Sequence, residues 1–257
     1  MPPAANPVPA LFRHIEKLHA GRPWGDVLDA GTGIKSLTWL TGLASQRVSA
    51  VTASQAMATK LQAGLDGRWR PQDRLIVGNW TDEALLAGQR FDVVLMDYLI
   101  GAIDGFAPYW QDRIFARLRR HVAARVYIVG LEPYVPYEGV TEAARLVREI
   151  GCLRDACLLL AGERPYREFP LDWTLRQLQR DGFRVIAAQH FPIRYRARFV
   201  NGQLDMCLAR LPRFQDPTLA QAMRGRIQAL REHALALAEA PDGLRAGADY
   251  VIAAELA

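Results

Sequence analysis

Lysine is scarce in this chain. Lys17, Lys35 and Lys60 are the only lysines among 32 basic residues, and all the others are arginine. Arginine suits phosphate recognition, but here the arginines are scattered and acids lie between them. A net charge of +5 is a weak pull toward anions and defines no nucleic-acid surface. Cysteine is scarce too. Cys152, Cys157 and Cys207 are an odd set, with no C-x-x-C and no histidine at zinc-finger spacing. That speaks against a disulfide frame or a structural zinc and fits a reducing cytoplasm. No apolar run approaches the ~18 residues of a membrane helix. The opening residues lack the basic-then-apolar order of a secretory signal. Repeats and low-complexity tracts are missing, and so is any Ser/His/Asp or Cys/His arrangement for covalent catalysis.

What remains is an ordinary globular composition, 257 residues with half of them apolar, enough to bury a full core. Leu11, Ile15 and Leu18 fall at helical spacing, and Gly21 closes that segment. Short Val/Leu/Ile-rich runs then alternate with helix-like stretches. The runs Asp26–Ala30, Val48–Thr52, Leu75–Gly78, Phe91–Asp97 and Arg125–Leu131 are expected to be strands. Helices are expected at Ile34–Ala44, Ser54–Leu65, Asp82–Ala87 and Pro108–His121. That alternation predicts βαβ units and a doubly wound α/β fold with a parallel sheet.

From about residue 138 the pattern changes. Residues 141–162 read as an irregular helix, and Pro170 opens another that stops before Gly182. Phe183–His190 is a sixth strand. Leu204, Cys207, Leu208 and Leu211 share a helical face, Asp216-Pro217 starts a long helix, and Asp249–Leu256 is a last strand. The chain 1–257 is expected to be a single domain. Residues 138–168 and 191–248 are read as insertions forming a helical cap over the sheet edge.

The chemistry is concentrated in DVLDAGTG, Asp26 to Gly33, a strand running into a glycine turn and a helix. Glycines there let a ligand approach the backbone, and helix N–H groups face it. Gly31-x-Gly33-x-x-Ser36 approximates a dinucleotide fingerprint, a weak signal by itself. The acid Asp29, two residues before Gly31, supports another reading. Asp29, Gly31 and Gly33 resemble the first motif of the class I S-adenosylmethionine (SAM)-dependent methyltransferases, an acid followed by a glycine-rich turn. Val48–Met57 looks like that family's second strand and helix start, Leu75–Trp80 like its third strand and turn, and Phe91–Asp97 like its fourth strand with the acid that lines the active site.

The resemblance implies a mostly parallel seven-stranded Rossmann-like sheet with an antiparallel last strand, and SAM as cofactor. It places Asp29, Gly31, Gly33, Thr52, Asn79, Trp80, Asp97 and Tyr98 at the cofactor. Two positions depart from the pattern: Lys35 replaces the third motif glycine, and Thr52 replaces the acid that accepts from both ribose hydroxyls. A neutral hydroxyl cannot stand in for a bidentate charged acceptor. Lys35 either meets a ligand carboxylate or points to water. Asn79 reads an adenine edge or simply makes a turn. Trp80 stacks on adenine or packs in the core.

Several further residues carry two readings each. Asp97 and Tyr98 end the fourth strand, where ligand sites of open sheets lie, and the apolar loop Tyr98–Phe106 is expected to wall a pocket. Tyr134 and Tyr137 either hold a sulfonium by cation–π attraction or pack under the cap. Arg164, Tyr166 and Arg167 clamp an anionic substrate or form a solvated loop. His190 is a capped histidine or a general base. Arg113, Arg117 and Arg120 share a helix face read as solvated.

Catalysis is therefore assigned to Asp97, Tyr134 and His190, with no metal. The leading expectation is a SAM-dependent transferase acting on a small molecule by in-line methyl transfer in a closed pocket. The alternative is chemistry on the aminocarboxypropyl arm, by transfer or by cyclisation as in azetidine-2-carboxylate formation, releasing methylthioadenosine. An RNA methyltransferase ranks below both, because no RNA-binding module and no Asn/Asp-Pro-Pro-Tyr motif are present. A small-molecule partner is expected, with no membrane; the oligomeric state is not legible.

Overall fold

The computed structural model describes residues 8–65, 67–135 and 139–257. In chain order the elements are α1 (Ala10–His19), β1 (Asp26–Asp29), α2 (Ile34–Leu40), β2 (Arg47–Thr52), α3 (Gln55–Gly64), β3 (Arg74–Val77), β4 (Phe91–Asp97), α4 (Leu99–Ala102), α5 (Ile114–Arg119) and β5 (Val122–Leu131). Then follow α6 (Glu142–Leu160), α7 (Leu171–Arg180), β6 (Phe183–Tyr195), α8 (Ala197–Leu208), α9 (Pro217–Glu239) and β7 (Leu244–Leu256).

The seven strands lie in the order β3-β2-β1-β4-β5-β7-β6. The first five pair in parallel, with Asp29 beside Ala50 and Leu95, and Asp97 beside Val129. β7 lies antiparallel between β5 and β6. Successive strand residues point to opposite faces, and both faces are covered here. Val27, Val48, Val93, Leu95 and Tyr127 join one buried cluster with Phe12, Ile15 and Trp39. Leu28, Val94, Met96, Val126 and Ile128 join the other, with Ile114, Phe115 and Leu118 of α5. These double-sided runs are why the strands lack polar alternation in the sequence.

The chain divides into two compact units. The first holds residues 1–131, 168–191 and 250–257; the second holds 132–167 and 192–249. The second is helical. Leu146, Val147 and Ile150 of α6, Val200 and Leu204 of α8, and Ile227, Leu230 and Ala234 of α9 form its core. Asp216 caps α9 by accepting from the Thr218 and Leu219 N–H groups. No helix among the described residues is long and apolar enough to cross a membrane.

Several local expectations need correction. Asp82–Ala87 is a run of turns, not a helix. Its bonds are Leu85 N–H to Asp82 O and Ala87 N–H to Ala84 O, and Leu86 sits at φ 56°, which a helix forbids. The expected helix Pro108–His121 shrinks to α5, because Tyr109 adopts φ 65°. The loop Tyr98–Phe106 contains a one-turn helix, α4, followed by a 3-10 turn over Ile103–Gly105. β6 and β7 each run to 13 residues, the last four of β6 and the first six of β7 belonging to the second unit. Arg113 and Arg120 are exposed as read, but Arg117 is buried.

Candidate functional site

β1 ends at Asp29, and the backbone turns at once. Ala30 N–H donates to Leu95 O of β4, and Thr32 N–H donates to Val51 O of β2, both at 2.9 Å. The turn is thereby stitched to both neighbouring strands at their carboxyl ends, the place where open α/β sheets bind ligands. Gly31 is required by packing: a Cβ there would stand 2.7 Å from Leu99 Cδ1 of α4. Gly33 is different. A Cβ there would meet nothing within 4 Å, so its smallness serves no neighbour in the protein.

Asp29 lies beneath this turn with no exposed surface. The Ser36 hydroxyl donates to its Oδ2 at 2.8 Å and accepts from the Gly33 N–H at 3.1 Å. Burial pushes the Asp29 pKa up to about 6; the Ser36 bond opposes this, with lesser support from the Thr32 hydroxyl and the Gly31 N–H. Neither of the latter two closes a full bond, so Asp29 Oδ1 and Thr32 Oγ1 are buried without a hydrogen-bond partner. An unsatisfied buried carboxylate oxygen costs free energy that the fold alone does not recover.

At the end of β2, Thr52 is also buried, and its Oγ1 accepts from the Ser54 N–H at 3.3 Å. Ser54 caps α3 by accepting from the Met57 N–H at 3.2 Å. At the end of β4, half-buried Asp97 is followed by Tyr98 at φ 49°, a left-handed conformation uncommon outside glycine and concentrated at functional sites. The Tyr98 N–H donates to Val129 O, which fixes the bend against β5.

Asn79 and Trp80 are turned inward, toward protein. The Asn79 amide donates to Phe106 O at 2.8 Å, and its oxygen accepts from the Thr81 N–H and hydroxyl. Asn79 thus ties the β3 turn to the loop after β4. The Trp80 indole N–H donates to Ala30 O at 2.6 Å, and its ring is a member of the core. Of its two readings the packed one holds: Trp80 braces the glycine turn from inside. Lys35 is exposed, with no ion pair among the described residues.

His190 does not reach this place. It is exposed on β6, and β5 and β7 stand between its strand and β4. Three strand spacings of about 4.8 Å put roughly 14 Å between β6 and β4. Tyr134 belongs to the second unit. Its hydroxyl accepts from Arg154 at 2.8 Å, with the guanidinium 5.8 Å from its ring, and Tyr195 and Phe199 meet the ring edge-on. Arg167 pairs with Asp155 in the same unit, while Tyr166 and Arg164 are exposed. Tyr137 lies outside the described residues. Two concavities lie away from this turn: about 200 Å³ beside Gln62, Leu65, Gly67, Trp69 and Leu75, and an open groove beside Arg194 and Arg245.

The strand order with its reversed β7, the acid-glycine turn after β1 and the bend after β4 together define one architecture. The fold is that of the class I SAM-dependent methyltransferases. No family model matches the chain, and no curated protein matches it in sequence. Solved structures do. A Bacillus halodurans protein assigned as a methyltransferase aligns with a TM-score of 0.61 at 14% identity, over 95% of this chain and 97% of its own. The [4+2]-cyclase SpnF aligns at 0.55 and 15% identity, over 95% and 80%. Magnesium protoporphyrin IX methyltransferase of Synechocystis, solved with S-adenosylhomocysteine (SAH), aligns at 0.53 and 12% identity, over 96% and 80%.

Ser36, Thr32 and Leu99 shape the site but were not among the expected cofactor residues. Ser36 did carry a signal, since it stands where the fingerprint has its last small residue. Leu99 carried none, because nothing in a sequence shows which side chain rests on Gly31.

Proposed function

We propose that this protein is a SAM-dependent transferase acting on a small molecule, with methyl transfer as the reaction. The observation that carries the reading is Asp29 Oδ1, a buried carboxylate oxygen that closes no full hydrogen bond under a glycine turn. A cationic ligand group would satisfy it and restore its ionised form. SAM carries both an ammonium and a sulfonium, so the residues present fit it. Asp29, Gly31 and Gly33 would hold the amino-acid end, Thr52 and Ser54 the ribose side, and Asp97 and Tyr98 the reacting end. When bound, SAM supplies an electrophilic carbon on its sulfonium.

The chain's own work is then to bind, orient and exclude water. Gly33 leaves room for the ligand against the backbone. The fixed bend at Tyr98 directs the chain beyond Asp97, and α4 closes over Gly31 through Leu99. No protein nucleophile is called for.

The test is isothermal titration with SAM and with SAH. Micromolar binding of either supports the reading, and no heat at high protein concentration overturns it. One observation favours a second reaction. Thr52 offers the ribose a single hydroxyl, already engaged by the Ser54 N–H, where a carboxylate would hold both ribose oxygens. A cofactor seated differently suits attack on the aminocarboxypropyl arm. Incubation with SAM, with and without cell extract as a source of methyl acceptor, followed by mass spectrometry separates the two: SAH marks methyl transfer, and methylthioadenosine marks the other arm.

A further inference from the structure

Arg117 of α5 is a buried guanidinium with no carboxylate paired to it among the described residues. Its donors go to main-chain carbonyls of the segment between β3 and β4. Nε donates to Trp80 O at 3.2 Å, and Nη2 donates to Asp82 O and Leu85 O, both at 2.9 Å. The guanidinium carbon lies 5.7 Å from the Trp80 ring centre. These bonds are what organise residues 80–89, which have turns in place of a helix.

Nη1 is spent on His121, 3.0 Å from its Nε2. His121 is buried, and its Nδ1 is 2.9 Å from Gln89 O at the far end of the same segment. A carbonyl only accepts and a guanidinium only donates, so this network assigns His121 the neutral Nδ1–H tautomer. A proton on Nε2 would set N–H against N–H and place two positive charges side by side without water.

We propose that Arg117 and His121 form a proton-operated latch: neutral His121 holds Arg117 across residues 80–89, and protonation releases that segment together with Trp80 and its bond to Ala30 in the glycine turn. Burial is the main cause that disfavours a cationic His121; the Gln89 carbonyl opposes it, and the charges of Arg117 and Arg120 add to it. Burial and Arg120 also disfavour the charge of Arg117, while Glu83 and Asp82 favour it. Arg117 is thus a positioning residue, linked to the turn through Trp80 Nε1 and Ala30 O at 2.6 Å. Its effect on cofactor binding rests on the SAM reading above; the opening of the segment does not.

The experiment is hydrogen–deuterium exchange of the whole ligand-free chain at about pH 7.5 and about pH 5, with labelling times scaled to intrinsic exchange. Residues 80–89 should lose protection by about tenfold or more at the lower pH, while β1 and β4 keep theirs. His121→Gln should abolish that pH response, and Asp29→Asn should leave it in place. Equal protection of 80–89 at both pH values overturns the latch, and so does a response that survives in His121→Gln. Should His121→Gln fail to fold, the imidazole signals of the natural chain decide: a His121 pKa at or above the ordinary 6.5 overturns it, and a lower one supports it. SAH titration at both pH values then reports the linkage to the turn. Exchange that responds as stated while SAH never binds leaves the latch standing and removes the SAM reading.

Discussion

Two buried charges in the first unit face opposite problems. Asp29 and Arg117 are both out of solvent, and neither has an ionic partner among the described residues. Arg117 donates from all three of its nitrogens to groups of the protein itself. Asp29 keeps one oxygen unused and its pKa displaced upward. A buried charge whose bonds are made stabilises what surrounds it, and one with an unused oxygen has capacity left for a donor. Burial alone does not separate the two; the hydrogen-bond account does.

The largest break in that comparison comes from Arg117→Met. It strands the Trp80, Asp82 and Leu85 carbonyls and His121 Nε2 at once. Each buried acceptor left without a donor costs about 1–3 kcal/mol, so a loss of several kcal/mol is expected, read as a lower urea midpoint with an unchanged slope. A loss under about 1 kcal/mol would mean that water replaces the guanidinium.

Asp29→Asn should go the other way. The folded pKa of about 6 stands above the unfolded 3.8, so ionisation opposes folding. The stabilising contribution is whole below pH 3.8, declines as pH rises through 6, and is absent above. The neutral variant should therefore gain up to about 3 kcal/mol at pH 7 without ligand, and it should lose SAH affinity. His121 has the reverse sign. Burial lowers its pKa, so its contribution is whole above 6.5 and declines as pH falls below it. The two trends oppose each other below pH 6.5 and both are flat above it, so in a pH series of thermal melts Asp29→Asn should remove the loss between pH 3.8 and 6 and leave the His121 decline below 6.5 in place.

Thr52→Asp adds a carboxylate beside Ser54. Where the ribose lies against β2, SAM should bind more tightly by about 1–2 kcal/mol; where the cofactor sits otherwise, the buried charge has no partner and binding weakens. The dissociation constants of the two proteins decide between methyl and propyl-arm chemistry. Smallest of all is Lys35→Ala. An exposed lysine without an ion pair should change stability by less than about 0.5 kcal/mol, and a tenfold loss of SAM affinity would assign it a ligand carboxylate after all.

The turn that buries Asp29 was legible in the sequence because it is local: the acid, the two glycines and the strand before them lie within eight residues. The strands were legible for a similar reason, since a strand buried on both faces writes itself as an unbroken apolar run. Arg117 was not. Its helical spacing with Arg113 and Arg120 describes a face, and what that face meets is a segment some 30 residues earlier. The same pairing explains the mistaken helix at Asp82–Ala87, whose composition suits a helix while Arg117 draws its carbonyls sideways. Trp80 was open between two roles, and only the indole bond to Ala30 closed the question. His190 looked catalytic from its place at the end of an expected strand, and the strand order moved it to the far edge.

The position of β7 bears on synthesis. It follows every other strand along the chain, yet it lies inside the sheet with β5 on one side and β6 on the other. While the ribosome is still making residues 244–256, β5 and β6 each have a bare edge and a gap between them the width of one strand. Bare edges recruit strands from other molecules. Chains stalled or clipped ahead of Leu244 should therefore aggregate even though every residue of the glycine turn is already in place.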